Sequence, residues 1–86
     1  MEIKVKMPPC LAPRLTDITV SEGDEIALGD ILFSYESDGA LFFEYSACAG
    51  KVSAVTDQAW QDIRIGDTVL TVEGNAPKEF KFYNHL

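Results

Sequence analysis

"DEIALGDILFSYE", residues 24–36, has an echo further along the chain in "QDIRIGDTVLTVE", residues 61–73. Gly29-Asp30 aligns with Gly66-Asp67, an offset of 37 residues. At that offset Ile26 meets Ile63, Leu28 meets Ile65, Leu32 meets Val69 and Glu36 meets Glu73. Upstream, Arg14, Leu15 and Ile18 meet Lys51, Val52 and Val55. Apolar positions and turn glycines match together, which shared composition does not explain. Each half is too small to close its own core, so two such halves must bury their apolar faces against each other. The repeat predicts a pseudo-twofold sandwich.

The pattern around the repeat is that of strands. No long segment has the i, i+3, i+4, i+7 spacing of an amphipathic helix. Short β-like runs cover residues 2–7, 15–20, 31–37, 40–46, 50–55 and 68–73, and "KEFKFY" (78–83) reads as a final edge strand. Several short strands at close spacing argue for an all-β sandwich or barrel. Gly23, Gly29 and Gly66 each precede an Asp. Glycine reaches positive φ at low cost and Asp bonds its own nearby backbone, so these pairs are expected to shape turns. Nothing brings Asp24, Asp30, Asp62 and Asp67 together with a His for acid/base or metal chemistry. In "FSYESDGALFFEY" (33–45), Asp38-Gly39 between two apolar arms is a strong hairpin signal.

The chain has 86 residues, enough for one small domain. Residues 1–76 are read as that domain. Residues 77–86 are read as a tail, serving as an added edge strand or a dimer contact through Phe80, Phe82 and Leu86. The net charge of −7 disfavours nucleic acid and anionic membranes as partners. No apolar run approaches the ~18 residues of a membrane span. The opening "MEIKVKMPPC" lacks a signal-peptide core, so a cytoplasmic location is expected. Cys10 and Cys48 are too few for a zinc motif, and Cys48, in "SACAG", is expected to pack inward. Trp60 aligns with Gly23 in the repeat and is read as a lid over the core. His85 is read as incidental. With no nucleophile–base pair, no phosphate loop and no zinc spacing, the chain is not expected to be an enzyme.

Residues 20–55, "VSEGDEIALGDILFSYESDGALFFEYSACAGKVSAV", resemble a lipoyl or biotinyl carrier domain. The matching positions are Glu22-Gly23-Asp24, Ile26, Gly29 and Leu32, then Ala47, Gly50 and Val52 in the return. "KMPPCLAP" (6–13) resembles the "MP-x-L-SP" opening of lipoyl domains in 2-oxo acid dehydrogenase acyltransferases. The likeness spans residues 3 to 74. It implies a flattened β-barrel, or barrel-sandwich hybrid, of two four-stranded antiparallel sheets with quasi-twofold symmetry. It also implies lipoate or biotin on a lysine at the hairpin tip, where this chain has Gly39 between Asp38 and Ala40. Glycine offers no amine, so no cofactor is expected. Lys4, Lys6, Lys51, Lys78 and Lys81 lie away from the tip. The expectation is a degenerate, non-acylated protein-binding or scaffold module. Alternatives are an acyl carrier modified at a non-standard lysine, or a self-associating structural protein. The implied partner belongs to a 2-oxo acid dehydrogenase or carboxylase system, with a homodimer through the edge strand or tail as a further expectation. The candidate partner surface is Tyr35, Ser37, Asp38, Gly39 and Phe42.

Overall fold

A computed structural model of the chain describes residues 1–74. The strand expected at 78–83 lies outside the described residues. Seven strands follow in order: β1 Glu2–Lys6, β2 Arg14–Ile18, β3 Glu25–Ile26, β4 Ile31–Ser37, β5 Ala40–Tyr45, β6 Gly50–Val55 and β7 Thr68–Gly74. A single 3-10 turn, Trp60–Asp62, precedes β7. All pairings among the described residues are antiparallel. One sheet has the order β1-β7-β6-β3 and the other β2-β4-β5.

The 37-residue offset maps one sheet onto the other, residue by residue. In the three-stranded sheet Arg14, Leu15, Asp17 and Ile18 face Glu36, Tyr35, Ser34 and Phe33. In the other sheet Lys51, Val52, Ala54 and Val55 face Glu73, Val72, Thr71 and Leu70. Each of these eight positions differs from its counterpart by 37, and the ladder irregularity falls at the same place, after Leu15 and after Val52. The core repeats too. Leu15 and Val52, Ile26 and Ile63, Leu32 and Val69, and Phe33 and Leu70 are all buried, and Met7, Cys48 and Val72 complete the cluster. Each half supplies matching apolar side chains to one shared interior.

The Gly-Asp turns repeat at the level of single hydrogen bonds. Asp30 Oδ2 accepts from Ala27 N (2.8 Å), and Asp30 N donates to Ala27 O (3.1 Å). Asp67 makes the same two bonds with Arg64, at 3.0 and 3.0 Å. Gly29 and Gly66 hold φ of +90° and +87°, a region costly to any residue with a Cβ. From these turns Gly29 N donates to Ser46 O while Ser46 N donates to Asp30 O. Gly66 and Asp67 clasp Met7 in the same way.

The symmetry fails at one place, and there the expectation of two four-stranded sheets is corrected. The second sheet has three strands among the described residues. In the first half, Gly23 N donates to Val52 O and Val52 N to Asp24 O, both at 2.8 Å, which zips β3 onto β6. The counterparts of Gly23 and Asp24 are Trp60 and Gln61. Trp60 lacks the freedom of Gly23, whose φ is +95°. Gln61 lacks the short carboxylate with which Asp24 holds Ser21 N at 2.8 Å. The chain turns through a 3-10 helix instead and packs against β2 without joining its ladder. Trp60, expected as a lid, is 40% exposed and lines a groove with Arg14, Thr16 and Glu36.

Candidate functional site

The β4–β5 hairpin turns on two residues. Asp38 (φ +50°) and Gly39 (φ +79°) both adopt left-handed backbone, as a type I′ turn requires, and Ser37 pairs with Ala40 across it. Asp-Gly is the dipeptide this turn favours, so the tip is a geometric optimum. A Cβ added at Gly39 would meet no atom within 4 Å, so the tip stands clear of the rest of the molecule.

Behind the tip the expected partner residues separate. Tyr35 and Phe42 lie opposite each other and stack, with centroids 5.6 Å apart and planes at 21°. Phe33 continues the row, 6.1 Å from Tyr35. Tyr35 is half-buried, and burial holds its hydroxyl above the usual tyrosine range, with smaller contributions from Cys10 and Glu44. Ser37 is buried, and its hydroxyl donates to Leu11 O at 2.6 Å. That bond ties the 8–13 loop to the hairpin, so Ser37 is not presented to a partner. Asp38, Gly39 and Phe42 are exposed.

A set of outward residues went unread in the sequence. β5 is an edge strand, and its register with β4 repeats that of β1 with β7. Glu2, Ile3, Lys4, Val5 and Lys6 face Glu73, Val72, Thr71, Leu70 and Thr68. Leu41, Phe42, Phe43, Glu44 and Tyr45 face Glu36, Tyr35, Ser34, Phe33 and Ile31, each 37 residues earlier than the β7 partner. β1 and β5 are therefore counterparts. Alternation puts Glu2, Lys4 and Lys6 on the outer face of β1, and Leu41, Phe43 and Tyr45 on the outer face of β5. These three are 56%, 46% and 56% exposed. The inner face is inverted as well. Glu44 stands where β1 has Val5, and burial raises its carboxyl above the ordinary range.

The offset between β1 and β5 is 39 residues, two more than in the rest of the repeat, and the residue types differ. Neither a fixed-offset comparison nor a match of apolar positions finds this pair. Cys48 is buried as expected. Among the described residues, no three His, Cys, Asp or Glu side chains are grouped to hold a metal ion. No helix there is long and apolar enough to cross a membrane. No protein-family model matches the chain, and a search of curated proteins finds no match.

Proposed function

We propose that the chain is a lipoyl- or biotinyl-type domain that carries no acyl group and serves as a protein-binding or scaffold module, not as an enzyme. The finer fold assignment, a flattened barrel-sandwich hybrid with quasi-twofold symmetry, belongs to the same reading. Its support is the residue-by-residue repeat of register, bulges and turns between the two sheets. The observation that carries the functional reading is the outer face of the hairpin. β1 presents charge at its outward positions, whereas β5 presents Leu41, Phe43 and Tyr45 beside a tip that has Gly39 in place of an amine. Exposed aromatic clusters are suited to partner contact. The partner in this reading is a component of a 2-oxo acid dehydrogenase or carboxylase system, docking on the hairpin without receiving an acyl group.

Two measurements test the reading. Intact-mass analysis of the chain isolated from its host should show no lipoyl or biotinyl increment, and such an increment on any lysine would overturn it. Titration against purified dehydrogenase and carboxylase components should show saturable binding. Binding should weaken roughly a hundredfold when the outer face of β5 is made like β1 by Leu41→Glu, Phe43→Lys and Tyr45→Lys. Unchanged affinity in the folded triple variant would remove β5 from the interface.

A further inference from the structure

The free edge of β5 has neither of the usual protections of an edge strand. It carries no lysine or proline, and its outward side chains are apolar, whereas the free edge of β1 is guarded by Lys4 and Lys6. We propose that residues 78–83 of this same chain, "KEFKFY", add to the free edge of β5 as a fourth strand of the three-stranded sheet.

Four observations select this occupant. The first is position. Gly74 N donates to Met1 O, so the chain leaves β7 beside the start of β1. The free edges of β1 and β5 border one groove, in which Ile3 and Val5 meet Glu44, Tyr45 and Cys48. The second is reach. Four Cα steps from Gly74 to Lys78 span up to about 14 Å, more than the ~10 Å between packed sheets. The segment then arrives at the Tyr45 end and runs antiparallel to β5. The third is charge. Residues 1–74 hold five Lys or Arg against thirteen Asp or Glu, net −8, while residues 75–86 hold two Lys and one Glu, net +1. A second copy would instead bring like charge to the edge. The fourth is pattern. Phe80 and Phe82 share one face by alternation and match the apolar outer row of Phe43 and Tyr45. The inference does not rest on the functional reading above, since strand addition needs neither a partner nor a lost acyl group. Where both hold, a partner must displace the segment.

Hydrogen exchange by NMR on the full chain tests it. In a two-residue hairpin with Ser37 opposite Ala40, the amides of Leu41 and Phe43 point away from β4. They should exchange at least about tenfold more slowly than in the Phe80→Asp, Phe82→Asp variant, at every protein concentration. The amides of β4 and β7 report in each sample that the fold is intact. Fast exchange of Leu41 and Phe43 in the unaltered chain would overturn the proposal, as would protection that survives the double variant. Protection that rises with concentration, with contacts between differently labelled copies, would overturn it in favour of a dimer.

Discussion

The outward positions of β1 are Glu2, Lys4 and Lys6; those of β5, met at the same register in the other sheet, are Leu41, Phe43 and Tyr45. Backbone geometry does not separate the two strands. Both are edges, both pair with a strand that bears the same irregularity, and both lie over a fully buried core residue, Leu70 or Phe33. What separates them is what they show to solvent, and this is where a duplicated scaffold can diverge without damage to its core. The equivalence of the frames and the difference of the surfaces can be tested separately.

The largest effects test the frame. Phe33→Ala and Leu70→Ala each remove a side chain of 1% exposure or less beneath the two compared strands. Each should lower stability by about 3–5 kcal/mol in urea denaturation. A loss under about 1 kcal/mol for either would mean that the halves do not share the core equally. Next are the turns. Gly29→Ala and Gly66→Ala meet no neighbouring atom, so only the strain of positive φ is added, about 1–2 kcal/mol each. Equal losses sharpen the equivalence, and a difference above about 1 kcal/mol breaks it.

The smallest effect concerns Glu44, the one inner-face carboxylate where β1 has Val5. Burial raises its acid constant, so the fold favours the protonated form. Destabilisation is therefore absent below its ordinary value of 4.5 and grows as pH rises through the window above it. Glu44→Val should stabilise the chain at pH 7 by a few tenths of a kcal/mol, up to about 1. Part of that gain should vanish at about pH 4, where the carboxyl is protonated in both states. A gain that does not change with pH would assign the effect to packing alone.

Much of this frame was legible in the sequence because its determinants are local. Gly29-Asp30 and Gly66-Asp67 specify their turns by backbone freedom and a short side chain, and Asp38-Gly39 does the same for the hairpin. The buried pairs Ile26/Ile63 and Leu32/Val69 stood out because both halves face one interior. β3 was not anticipated, since two residues make no periodicity, and its pairing depends on the bonds of Gly23 and Asp24 to distant Val52. The missing eighth strand was visible only as a mismatch, Trp60 against Gly23. Sequence spacing does not say whether a mismatched turn bends, bulges or forms a 3-10 helix. The candidate site was less legible. That Phe43 and Tyr45 share a face follows from alternation, but which face is outward follows only from the register with β4. The burial of Ser37 follows from a bond to Leu11, 26 residues away.

The hydrogen bond from Gly74 to Met1 has a topological corollary. β7 and β1 form a hairpin that lacks its loop, while β4 and β5 form the counterpart hairpin closed by Asp38-Gly39. The order in which the strands are threaded is thus set by where the polypeptide is cut, and the sheets themselves admit two equivalent cuts. A circular permutant that opens at Asp38-Gly39 and joins Gly74 to Met1 through a two-residue Asn-Gly turn would keep every strand pairing described. It would also move the new termini to the hairpin tip, the position from which a fused domain would project clear of both sheets.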